Sequence, residues 1–139
     1  IHNLDSSIEV LSQACPLFVP LAEEGLATHA ATELLAKEYL APLTAHKIDT
    51  LVLGCTHYPL LKHTIEKVVG PNVTLIDSAQ ATAMDVEELL TRQGLLSSSH
   101  DLPRHEFYVS DLPHRFRELG ERFFGEPLES VTKVDGFPV

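Results

Sequence analysis

The sequence predicts an α/β domain built on a parallel sheet. Two observations carry this. Short apolar runs at 48–53, 73–76 and 106–109 alternate with amphipathic stretches of helical period. Glycine or proline stands at several of the junctions, as at Gly54, Gly70-Pro71 and Gly125. No internal repeat is visible. Strands separated by helical segments call for crossover connections, and these give parallel pairing.

The elements follow in order. Ile8, Val10 and Leu11 suggest a short helix over 5–13. Residues 17–21 are apolar but bracketed by Pro16 and Pro20, which favours an extended or loop segment. Thr28 is a candidate N-cap for a helix running to about Pro42, with Ala31, Leu34, Leu35 and Leu40 on its apolar side. Residues 48–53 form a strand whose end, Leu51 to Leu53, reads as buried. A helix from Pro59 to Val69 closes at Gly70-Pro71, and 73–76 forms the next strand. Ser78 or a neighbour starts a helix holding Ala81, Val86, Leu89 and Leu90, which stops near Gly94. Three consecutive serines mark 95–103 as a linker. Residues 106–109 form a strand, and Asp111 caps a helix carrying Phe116, Leu119, Phe123 and Phe124 up to Gly125. A weak strand signal remains at 131–134.

The chain has 139 residues, enough to bury a sizeable core. Its 44% hydrophobic and 22% charged residues are ordinary for a soluble globular protein. Ten basic against twenty acidic residues leave a formal net charge of −10. That balance argues against nucleic acid or an anionic membrane as partner. No apolar run approaches the roughly 18 residues of a membrane span. The two cysteines, Cys15 and Cys55, are expected to be reduced thiols in a cytoplasm rather than a disulfide.

The segment from Leu51 to Leu61, LVLGCTHYPLL, carries the most chemistry. Cys55 and His57 stand two residues apart, between an apolar strand and a proline that fits a helix start. A thiol exposed on such a strand-to-helix turn meets unpaired N–H groups and a histidine, surroundings that favour an anion.

The string Gly54-Cys55-Thr56-His57-Tyr58-Pro59 resembles the signature around the second active-site cysteine of glutamate racemases, in the aspartate/glutamate racemase superfamily. Residues Cys15 to Gly25 resemble the family's acidic segment, and Leu75 to Ala83 resemble the crossing between its two lobes. Phe107 to Asp111, followed by a short helix, also fits. The resemblance implies one parallel-sheet lobe of a two-lobed, flavodoxin-like racemase fold, truncated at its N-terminus. The family's Asp-Ser-Gly and Ala-Cys-Asn-Thr segments are absent, the chain begins at Ile1, and its single methionine is Met84. The expectation is therefore the C-terminal half of such an enzyme. Residues 1–77 would form the second, Cys55-bearing lobe. Residues 78–139 would complete the missing first lobe and would expose apolar surface without it.

Racemisation at an amino acid's α-carbon needs a base on one face and an acid on the other. Thiols suit both roles. One cysteine cannot serve both faces, so this chain alone is expected to be inactive. Cys55 is the candidate base or acid for one face, against the bland alternative of a small buried hydrophobe. His57 would assist thiolate formation, against a histidine that merely caps or packs. By resemblance Thr56 binds the substrate α-carboxylate; its bland alternative is an N-cap. By resemblance Glu23 is an acidic site residue that orients His57 or meets the substrate ammonium, with the register open by one to Glu24. Cys15 lacks the family context and is read as structural. Asp77 and Ser78 look like a strand-end turn and helix cap.

The scattered histidines lack metal-ligand spacing, so no metal site is expected. No phosphate-cradling glycine loop and no lysine in a Schiff-base context is found, and the resemblance implies an enzyme without cofactor. It also implies glutamate as substrate and D-glutamate for peptidoglycan as product. The apolar surface expected on 78–139 points to a second copy of the chain, a homo-oligomer, as its cover. Aspartate or a related acid stays open as substrate. A Cys–His hydrolase with Cys55 as nucleophile and a non-catalytic α/β interaction domain are the rival readings.

Overall fold

Four strands form two parallel pairs in a computed structural model that describes residues 1, 3 and 5–136. The chain divides into two compact units, 1–84 and 85–139. The boundary falls inside one long helix.

In the first unit, β1 (Thr50–Leu53) pairs with β2 (Thr74–Asp77) in the register Leu53↔Asp77. Helices α1 (Phe18–Glu23), α2 (Ala30–Ala45) and α3 (Lys62–Val69) surround the pair in sequence, and α4 (Ser78–Gln93) leaves its end. Phe18, Ala22, Ala36, Leu40, Leu43, Leu53, Leu61 and Ile65 form one buried cluster, which Cys15 joins. Two buried threonines hold the loop after α1. Thr32 on α2 donates to the Leu26 carbonyl and Thr64 on α3 donates to the Ala27 carbonyl, each at 2.6 Å. Both hydroxyls are satisfied, so burying them carries no unpaired polar group.

Several expectations need correction. Residues 5–13 form no helix. The Asp5 carboxylate accepts from the Ser7 backbone N–H at 2.8 Å and from its hydroxyl at 2.6 Å, a local turn that competes with helical bonding. Residues 17–21 belong mostly to α1, not to an extended segment. Pro20 is the third helical residue, inside the first turn, where a missing N–H costs no helical bond. The cap of α2 is His29 rather than Thr28, its ring accepting from the Ala31 N–H, and the helix continues past Pro42 to Ala45. Its buried stripe is Thr32, Ala36, Leu40 and Leu43, while Leu34 is exposed. The apolar run before Cys55 is buried only at Leu53. Val52 is exposed and lies in register with Ile76, also exposed, so one face of this sheet is uncovered.

Glu33 on α2 accepts from Lys37 at 2.7 Å and from Lys67 on α3 at 2.5 Å. These two ammonium groups lower its carboxyl from 4.5 to about 2. A carboxylate held below its unfolded value stabilises the fold above that value, and the contribution fades as pH falls from 4.5 towards about 2. Glu33→Gln is thus expected to remove part of the acid-dependent loss of stability in that window. Urea midpoints at pH 7 and pH 3 would check this, the variant showing the smaller difference between the two.

In the second unit, β3 (Phe107–Val109) pairs with β4 (Val131–Lys133), and α5 (Pro113–Phe124) connects them. Phe107 meets Phe124 edge to face with ring centres 5.8 Å apart. Leu128 is buried over Gly120, where an added Cβ would lie 2.6 Å from Leu128 Cδ1. Leu112, not Asp111, is the cap residue of α5, with Pro113 at its start. Phe116, Phe123 and Phe124 are partly exposed, as are Met84, Val86 and Leu89 on α4.

Candidate active site

The carboxyl end of β1 leads into the turn with Cys55 and His57, and beside it β2 ends at Asp77, where α4 starts. Leu53 ends β1, and its carbonyl accepts from the Ser78 hydroxyl at 3.5 Å. Asp77 caps α4, accepting from the Ala79 N–H at 2.9 Å and the Gln80 N–H at 3.4 Å.

Beyond Gly54 the chain turns into a single 3-10 turn, Tyr58–Leu61, and α3 begins only at Lys62. This corrects the expectation of one helix from Pro59. Cys55 therefore precedes a tight turn rather than an α-helical N-terminus, and a single turn offers little dipole. The environment of its thiol has to come from side chains.

His57 supplies it. Its Nδ1 lies 4.0 Å from Cys55 Sγ and 3.4 Å from Thr56 Oγ1. Its Nε2 lies 3.2 Å from Glu23 Oε1. An ionised carboxylate only accepts, so the Glu23 contact calls for a hydrogen on Nε2 and leaves Nδ1 as the ring nitrogen that faces the thiol. The result is a carboxylate–imidazole–thiol relay whose acidic member lies 34 residues away in sequence. Cys55, His57 and Glu23 are all half-buried, and Thr56 is exposed.

Glu23 is the last residue of α1. The helix closes there with Gly25 at φ 72°, a left-handed conformation that glycine adopts without strain. Gly25 N–H donates to the Ala22 carbonyl at 3.1 Å and Leu26 N–H to the Leu21 carbonyl at 2.9 Å, a Schellman closure. With the two threonine bonds from α2 and α3, this holds the end of α1, from which the Glu23 side chain reaches His57. Glu24 is exposed. The geometry thus separates two acids that the sequence left one residue apart.

Cys15 is buried, and burial raises its thiol above the usual value. Its Sγ points to the Gln13 carbonyl at 3.8 Å. Tyr58, which sequence reasoning assigned no role, joins the two cysteine segments. Its hydroxyl donates to the Cys15 carbonyl at 3.4 Å and its N–H to the Cys55 carbonyl at 3.1 Å. Burial above all, and then the Coulombic influence of Cys15 and Cys55, raises its phenol above the usual value. The only signal in the sequence was its place beside His57. Among the described residues no cluster of three or more His, Cys, Asp or Glu side chains could hold a metal ion, and no helix is long and apolar enough to cross a membrane.

The profile of the Asp/Glu/Hydantoin racemase family matches residues 8–86. A glutamate racemase of Chlorobaculum parvum is 52% identical over 134 residues, and one of Neisseria meningitidis serogroup A is 49% identical over 134. Each alignment covers 96% of this chain and 49% of the relative, so the chain spans about half the length of the relatives it matches. Among solved structures, a glutamate racemase of Bacillus anthracis superposes with a TM-score of 0.86 at 40% identity. That of Francisella tularensis, in complex with D-glutamate, gives 0.85 at 38%. Both cover 96% of this chain and 50% of the solved one.

Proposed function

The chain belongs to the Asp/Glu/Hydantoin racemase family, and from that premise we propose that it supplies one of two catalytic thiols of a cofactor-independent glutamate racemase. The observation that carries this is the relay from Glu23 through His57 to Cys55. In the forward sense the Cys55 thiolate takes the α-proton of one glutamate enantiomer, and the electron pair of the broken C–H bond delocalises into the α-carboxylate. A second thiol on the opposite face then returns a proton to the planar carbon. In the reverse sense Cys55 is the donor. His57 accepts the thiol proton at Nδ1, and Glu23 stabilises the ring while it carries both protons. Thr56, exposed at the same turn, offers its hydroxyl to the substrate carboxylate.

The second thiol belongs to the part of the relatives' length that this chain does not match. Residues 1–77 form the Cys55-bearing lobe of this enzyme, and 78–139 complete the other. The chain is inactive alone. Its complete form works in the cytoplasm as a homo-oligomer and provides D-glutamate for peptidoglycan. The D-glutamate complex of the Francisella tularensis relative supports this choice of substrate.

The test is a chimaera in which this chain replaces the stretch it matches in the Chlorobaculum parvum relative. Loss of the glutamate α-proton signal in deuterium oxide, with appearance of both enantiomers, is expected from the chimaera and not from the chain alone. Stoichiometric acylation of Cys55 by an activated ester, with no exchange, would favour a hydrolase instead. Exchange only with aspartate would move the substrate within the family.

A further inference from the structure

We propose that Tyr58 is a positioning residue for the Cys55–His57–Glu23 relay, its ring bracing the cysteine turn against helix α1. The inference rests on the reading of that relay above. The two halves of the relay come from segments far apart in sequence, and the 3.2 Å contact between His57 and Glu23 tolerates little displacement. Tyr58 is the neighbour of His57 and leaves the same turn. Its ring meets Phe18 edge to face, with centres 5.4 Å apart and planes at 83°. Phe18 begins α1 and Glu23 ends it, so brace and carboxylate ride on one helix of 6 residues. Phe18 is in turn fixed by the ring of Tyr39 on α2, 5.6 Å away. The Tyr58 hydroxyl adds a bond to the Cys15 carbonyl at 3.4 Å, just ahead of α1. That bond is long for an O–H···O contact, so the ring, not the hydroxyl, provides most of the brace.

The experiment is the rate of Cys55 alkylation by iodoacetamide at pH 7 in the 139-residue chain. Peptide mass spectrometry counts Cys15 separately. Tyr58→Leu is expected to slow Cys55 about two- to tenfold, the scale of one lost edge-to-face contact. Tyr58→Phe keeps the ring and is expected to stay within about twofold of the parent chain. In a Glu23→Gln background Tyr58→Leu is expected to add nothing, because no carboxylate remains to be positioned. Buried Cys15 reports on folding: if Tyr58→Leu makes it reactive, Tyr58→Met is read in its place. An unchanged rate in the leucine or methionine variant, or the same loss with and without Glu23, overturns the assignment. Glu23→Gln leaving the parent rate unchanged would instead sink the relay itself, a separate failure.

Discussion

Cys55→Ser is expected to lower α-proton exchange in the chimaera by at least about a hundredfold, the lower end of what a positioned acid or base contributes. A serine hydroxyl fits the same turn but yields its proton far less readily than a thiol. His57 would face a group it cannot deprotonate to any useful extent. Substrate binding relies on other atoms at the site, so the loss belongs in kcat more than in KM. Exchange measured at saturating and limiting glutamate separates the two. A serine variant within tenfold of the parent would remove Cys55 from the chemistry.

Phe18→Ala is expected to destabilise the first unit by about 3–5 kcal/mol, the usual cost of emptying a buried phenylalanine site. Phe18 is 1% exposed and touches the rings of both Tyr39 and Tyr58. Around it the helices α1, α2 and α3 share one buried cluster, so they cannot all close on the vacated space. A loss of that size is a large share of an ordinary domain's stability. Urea unfolding followed by circular dichroism would show the midpoint fall. An unchanged midpoint would mean that this aromatic cluster holds nothing together.

Much of the candidate site was legible because the residues that would carry its chemistry sit in one short string. Cys55, Thr56 and His57 are neighbours in sequence, and a strand before a proline fixes their turn. Glu23 was harder. Its distance in sequence from His57 is bridged only by folding, and two adjacent acids are equivalent until the closure at Gly25 orients one of them. Tyr58 lies within the signature string, but nothing there separates a brace from core, since an aromatic residue after a histidine serves as readily in either role.

The alternation of strands and helices was visible from apolar runs and glycine stops, and the parallel pairing followed from it. The failures share a cause. Pro20 looked like a breaker because its place inside a first turn depends on where α1 begins, a matter of packing around Phe18. Asp5 and Ser7 satisfy each other locally, which no periodicity of Ile8 and Leu11 could reveal. The run Leu51-Val52-Leu53 reads as doubly buried, as parallel strands usually are, yet Val52 is exposed. Hydropathy reports what a strand can bury, not what stands opposite it.

If His57 makes Cys55 reactive, the alkylation rate of Cys55 at pH 7 depends on the imidazole, and His57→Gln is the variant that shows it. Glutamine keeps a polar side chain of similar reach but cannot take up a proton. A fall of about tenfold or more is expected at Cys55, with Cys15 as slow as before. Equal rates in the two chains would contradict it.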